Sequence, residues 1–154
     1  MGTLAPYALF IGIALFTEVI SGALTSGSMQ TYEQLKKPPL SPPGILFPIV
    51  WTVLYLLMGV GAARIYQTGA DGVRQALILW GVQLAVNFVW SLIFFNAGAY
   101  FTAFLWLLLL WGLILAMILA FCPIDPAAAL LQLPYLLWVT FAGYLNFSFW
   151  RLNQ

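Results

Sequence analysis

The sequence predicts an all-α membrane protein, a single-domain bundle of five transmembrane helices. Three observations carry this. Charge is nearly absent: there are five Lys or Arg and four Asp or Glu in 154 residues, against 64% hydrophobic residues and a mean hydropathy of +1.00. Charged side chains are costly in hydrocarbon and apolar ones are favoured there. The apolar residues fall into five blocks, each near the roughly 20 residues a helix needs to cross a bilayer. A soluble domain of this length leaves a large fraction of its surface wet, so one aqueous core has no room for so much apolar side chain.

The first helix is expected over about 5–26, with a small polar patch at Ser21, Gly22, Thr25 and Ser26. The stretch Met1–Phe10 has no Lys or Arg and the apolar run carries Glu18, so it reads as a retained helix rather than a cleaved signal peptide. A polar connection, 27–44, holds Glu33, Lys36 and Lys37 and ends in Lys37-Pro38-Pro39-Leu40-Ser41-Pro42-Pro43-Gly44. Proline lacks the amide donor and pushes the preceding residue out of the helical region, so this end is irregular. It is the longest link and the one with room to fold over something. The second helix is expected over 45–67, before a turn marked by Gly69, Asp71 and Gly72. The third covers 73–95 and stops at Asn96-Ala97-Gly98; the fourth covers 99–121. Pro123 and Pro126 frame a turn around Asp125, and the fifth helix covers 127–152 with Pro134 in its first half. Short links make sequential helices antiparallel neighbours. An odd number of spans argues against an inverted-repeat transporter plan.

Several function classes lose support. With no histidine, the commonest general base, metal ligand and haem ligand are missing; no metal site and no required cofactor are expected. A net charge of +1 without a basic block gives no footprint for nucleic acid. The single Cys122 cannot form an internal disulfide.

In lipid, the informative residues are polar groups and aromatics sharing a helix face. On the third helix Gln83, Asn87 and Ser91 follow at intervals of four, with Trp80, Trp90 and Phe94 beside them. An amide facing acyl chains loses its hydrogen bonds at a cost of several kcal/mol, so this face points into the protein or a cavity. Gln83 and Asn87 then either bond a neighbouring helix or line a pocket. The second helix presents Phe47, Trp51, Tyr55, Met58 and Ala62, and the fifth presents Tyr135, Trp138, Ala142, Asn146 and Phe149, in the same rhythm. One such stripe is ordinary packing or an aromatic belt. Three stripes on three helices suggest a flat, aromatic-walled cavity for a planar hydrophobic ligand.

Glu18 is the one acid well inside a span, either a proton-coupled site or a carboxyl bonded to a neighbouring helix. Gly81 and Ala85, like Gly59 and Ala63, are small residues four apart, marking a dimer seam or internal close packing. The run Leu107–Leu110 with Trp106 and Trp111 reads as a lipid-facing fourth helix. Lys36, Lys37 and Arg151 fall on one side and Arg64 and Arg74 on the other, a small bias that places the long loop and the C-terminus in the cytoplasm.

Three pieces of sequence carry a likeness to a known family. They are Tyr32…Leu35…Lys37-Pro38…Pro42-Pro43…Phe47…Trp51…Leu54-Tyr55…Met58-Gly59, then Asn87…Trp90…Phe94-Phe95, then Pro134-Tyr135-Leu136…Trp138…Ala142…Leu145-Asn146…Trp150-Arg151. Together they resemble the tryptophan-rich sensory protein family, which includes the mitochondrial translocator protein, or peripheral benzodiazepine receptor. The resemblance implies five helices, often a homodimer, and binding of porphyrins, cholesterol or benzodiazepine-type drugs; the spacing of Gly81 and Ala85 makes them the candidate dimer interface. It implies a pocket among the first, second, third and fifth helices lined by Tyr32, Trp51, Asn87, Trp90, Trp138, Ala142 and Asn146, with Tyr55, Gln83, Phe94 and Tyr135 from the stripes. The first loop, with Lys37, Pro38, Pro42 and Pro43, would cap it. Tryptophans common in that loop are replaced by Thr31 and Leu40. The sterol-recognition pattern is broken by Phe147, and Tyr144 is too far from Arg151 to restore it, which favours porphyrin over cholesterol. The resulting expectation is a porphyrin-binding integral protein of a bacterial cytoplasmic membrane, acting in transport, sensing or stress regulation. Two alternatives use the same pocket: light- or oxygen-dependent porphyrin breakdown beside Trp51 and Trp138, and proton-coupled export through Glu18.

Overall fold

The structure, a computed structural model, describes residues 4–154. Among them there are seven α-helices and no strand: α1 (Leu4–Thr25), α2 (Met29–Glu33), α3 (Leu46–Thr68), α4 (Val73–Ser91), α5 (Tyr100–Phe121), α6 (Pro126–Leu130) and α7 (Leu133–Leu152). They compose five segments long and apolar enough to cross a membrane: Leu4–Glu33, Leu46–Thr68, Val73–Asn96, Tyr100–Phe121 and Pro126–Leu152.

Three elements differ from the sequence expectation. The chain does not leave the helix after Ser26: a 3₁₀ turn (Ser26–Ser28) leads into α2, so only 34–45 is irregular. The hydroxyls of Thr25 and Ser26 turn back onto the carbonyls of Ser21 and Ala23 at 2.8 and 2.9 Å. That satisfies them inside the helix, where Ser and Thr otherwise compete with it. The second difference is a π-helical turn at Leu92–Asn96, closed by Ala97 N–H donating to Leu92 C=O at 3.0 Å. Third, the last span is two helices. Asp125 caps α6 by accepting from Ala127 N–H at 3.1 Å, and Pro126 takes the first turn, where no amide is needed. Pro134 does the same for α7, so it starts a helix rather than kinking one.

Adjacent spans pack in order: α1 on α3, α3 on α4, α4 on α5, and α5 on α7. α1 and α3 approach closely at Gly59, where a Cβ would fall 2.5 Å from the Ile11 Cα. The Gly59 and Ala63 spacing is therefore internal packing. Gly81 and Ala85 face outward, and a Cβ on Gly81 would meet nothing within 4 Å.

Indole N–H groups cross the interfaces. Trp80 donates to Met58 C=O at 3.1 Å, Trp106 to Val86 C=O at 2.8 Å, and Trp111 to Thr140 Oγ1 at 2.9 Å. The fourth span is thus not a uniformly lipid-facing rod. Leu107 and Leu110 are buried while Leu108 and Leu109 are exposed. A helix turns about 100° per residue, so four consecutive leucines cannot share one face.

Candidate ligand cavity between α1, α3, α4 and α7

A cavity of about 200 Å³ lies where α1, α2, α3, the end of α4 and α7 converge. Tyr32, Trp51, Tyr55, Trp90, Phe94, Trp138, Ala142 and Asn146 line it, with Phe47 and Phe149 from the same stripes. It is open on the side where Gly22 of α1, Met29 of α2 and Pro48 of α3 in its wall are exposed.

The walls are rings at mutual angles that favour contact. Trp51 and Trp138 stand edge to face, with centroids 6.4 Å apart at 89°. Trp138 also meets Phe47 at 5.9 Å, and Trp90 stacks on Phe94 at 5.3 Å. Offset and edge-to-face pairs of this kind suit the positive edges and negative faces of aromatic rings. Tyr32 forms the roof, packed against Phe47, Phe95 and Phe149 at 6.2, 5.5 and 5.5 Å. The π turn brings Phe95 into the wall beside Phe94, so both adjacent residues line the space. No feature of the sequence periodicity marks that turn.

Gln83, Asn87 and Tyr135 do not reach the cavity. They form a buried layer beneath Tyr55. The Asn87 amide donates to the hydroxyls of Tyr55 and Tyr135 at 3.3 and 3.1 Å, and Tyr135 donates to Gln83 Oε1 at 2.7 Å. Gln83 then donates to Met58 Sδ at 3.8 Å. Buried polar groups without partners are expensive, so these residues satisfy one another across α3, α4 and α7 and hold the floor in place. Asn146 does similar work at the wall, accepting from Trp90 Nε1 at 3.0 Å and donating to Tyr100 C=O at 2.8 Å. The Trp138 N–H is buried with no hydrogen-bond partner.

The loop residues Lys37, Pro38, Pro42 and Pro43 are not in the cavity wall either; Met29 and Tyr32 of α2 roof it. Lys37 lies behind the roof, its Nζ 5.3 Å from the Tyr32 ring centre and donating to Glu33 C=O at 3.0 Å. The loop is fastened from outside. Asn153 accepts from Lys36 N–H and donates to Lys36 C=O, at 3.0 and 2.9 Å, and the Tyr144 hydroxyl donates to Pro39 C=O at 2.6 Å.

Three polar residues that the sequence marks as a patch on the first helix, Ser21, Gly22 and Thr25, also line the cavity, together with Glu18. Glu18 Oε2 lies 2.7 Å from Thr52 Oγ1. Away from the cavity, between spans, Arg64 donates to both oxygens of Asp125 at 2.8 and 3.3 Å. That hydrogen bond, then the guanidinium charge, holds the Asp125 carboxyl below its ordinary value.

Comparison with known proteins places the chain. The model of the TspO/MBR family matches residues 4–151. The chain is 44% identical over 124 residues to protein CrtK of Rhodobacter capsulatus, covering 79% of this chain and 78% of that protein. It is 38% identical over 149 residues to the tryptophan-rich protein TspO of Chlorobaculum tepidum, covering 95% and 94%. It is 37% identical over 126 residues to the translocator protein of Ovis aries, covering 80% and 75%.

Proposed function

This chain belongs to the TspO/MBR family, and from that premise we propose that it binds porphyrins and similar flat hydrophobic molecules in the aromatic cavity, as an integral protein of a bacterial cytoplasmic membrane. The observation that carries the reading is the convergence of Trp51, Tyr55, Trp90, Phe94 and Trp138 from three spans on one space. Their faces and edges offer a planar π-system stacking and edge contacts. The space is smaller than the roughly 300–1,000 Å³ of ordinary small-molecule sites. A macrocycle therefore seats one edge among the rings and extends through the side opening. A ligand arriving from the hydrocarbon meets that opening without crossing water. Gln83, Asn87 and Tyr135 position the floor, and the α4 face with Gly81 and Ala85 is the surface for a second copy.

The test is tryptophan fluorescence of the protein in lipid nanodiscs, titrated with protoporphyrin IX. Saturable quenching is expected, and Trp51→Phe or Trp138→Phe weakens binding by about 5- to 10-fold, the worth of one aromatic contact. Equal affinity in the wild type and both variants removes this pocket. Trp51 and Trp138 standing together at the wall also support breakdown of the bound porphyrin under light. Bleaching of the porphyrin spectrum at the same rate in both variants excludes that reading.

A further inference from the structure

The cavity wall holds one charged side chain among the described residues, Glu18. The carboxylate stands well inside the first span, where an unpaired charge is costly. Hydrogen bonding engages one of its two oxygens, through Thr52. The Thr52 hydroxyl is also 2.7 Å from Pro48 C=O, and it has a single proton to share between the two acceptors. No cation is among the described residues of the wall: Lys37 lies behind the roof and Arg64 is paired with Asp125. Trp51 and Tyr55, the residues just before Thr52 and one turn after it on α3, line the same cavity.

A carboxylate in the wall of a cavity lined by aromatic rings, in apolar surroundings, is a receptor for an organic cation. The ammonium gains an ion pair, and cation–π attraction is strongest where water is excluded. It also relieves the carboxylate, which otherwise lacks a counter-charge. A ligand carboxylate at the same place meets like charge. We propose that Glu18 makes this cavity select aromatic ligands that carry a protonated amine, seated between Glu18, Thr52 and the faces of Trp51 and Tyr55. The proposal rests on the cavity being the ligand site. It adds that a tetrapyrrole bearing carboxylates enters with those groups turned away from α1.

The experiment uses three probes with one macrocycle: protoporphyrin IX, its dimethyl ester, and its diamide with ethylenediamine, which ends in two amines. Each is titrated into the full chain in zwitterionic nanodiscs, with partition into protein-free nanodiscs subtracted. The amine form is expected to bind about tenfold more tightly than the acid form. In Glu18→Gln that preference falls to within about threefold. Equal binding of amine and acid in the wild type, or an unchanged preference in Glu18→Gln, overturns the proposal and leaves the cavity reading standing. The wild-type comparison decides even if the variant does not fold. Absence of saturable quenching by all three probes overturns the cavity reading itself.

Discussion

The Trp90 indole N–H donates to the Asn146 carboxamide oxygen at 3.0 Å, joining α4 to α7 at the cavity wall. The same carboxamide donates onward to Tyr100 C=O at 2.8 Å, so one side chain ties three helices together. Both Trp90 and Asn146 are buried.

Asn146→Ala strands the Trp90 donor, while the Tyr100 carbonyl, in the first turn of α5, keeps its helical bond. Leaving a buried group unpaired costs about 1–3 kcal/mol, and a loss of that size is expected in equilibrium unfolding in mixed micelles. Trp90→Phe in the Asn146→Ala background removes the stranded donor, so the double variant loses less than the sum of the singles. Strict additivity means that the two side chains do not interact.

Glycine spacing yields opposite outcomes at two sites. Gly59→Ala drives a methyl into the Ile11 backbone, and a rigid helix must shift to admit it. Overpacking of this kind costs about 1–3 kcal/mol. Gly81→Ala meets open space and changes monomer stability by less than about 0.5 kcal/mol. A large loss at Gly81 in dilute detergent, where a dimer dissociates, contradicts this assignment of faces. Gly61 is a third case: a Cβ there collides with the Gln132 amide, which donates to Leu57 C=O at 3.1 Å.

The five spans were legible because hydrophobic length is a strong, local signal. The aromatic stripes were legible because rings at intervals of three and four must share a face: Trp51 and Tyr55, or Trp138, Ala142 and Asn146, needed only helical periodicity. What escaped the sequence depends on local hydrogen-bond choices. Whether Thr25 and Ser26 end a helix or bond back into it is a matter of rotamers, and the outcome moved the roof from the prolines to Met29 and Tyr32. The π turn that brings Phe95 in beside Phe94 inserts a residue that no periodic template contains. Gln83 and Asn87 were visible as inward amides. Only the tyrosine hydroxyls that reach them decide that they close the floor rather than line the space.

Acid should weaken the bundle partly through Asp125. Its carboxyl lies below the ordinary value because Arg64 donates to it. The unfolded chain therefore binds the proton more readily than the folded one. The stabilisation is complete above the unfolded value and is lost as the pH falls through the folded one. Thermal midpoints measured from about pH 6 to about pH 3 are expected to fall less steeply in Asp125→Asn than in the wild type, since asparagine still caps α6 but cannot form the ion pair. Parallel curves rule the pair out as a contributor. Asp125→Ala loses cap and pair together and is less stable than Asp125→Asn across the range.

The first loop is expected to behave as a fastened roof support. Asn153 closes a two-bond bracket on the Lys36 backbone, and Tyr144 holds Pro39 from the exposed side of α7. Directly after the Pro39 anchor Leu40 adopts φ 72°, a left-handed conformation that disfavours a branched side chain and persists only where neighbours impose it. Releasing the anchors lets the loop relax and loosens α2, whose Tyr32 covers the cavity. Asn153→Ala combined with Tyr144→Phe should raise amide exchange over 34–40 by about tenfold or more, since each lost bond removes about 1 kcal/mol of local stability. Exchange in α5 stays unchanged. Dissociation of bound protoporphyrin IX, followed after dilution, should quicken in the same variant. Faster exchange with unchanged dissociation assigns ligand escape to the side opening instead, and Gly22→Leu, which narrows that opening, then slows it.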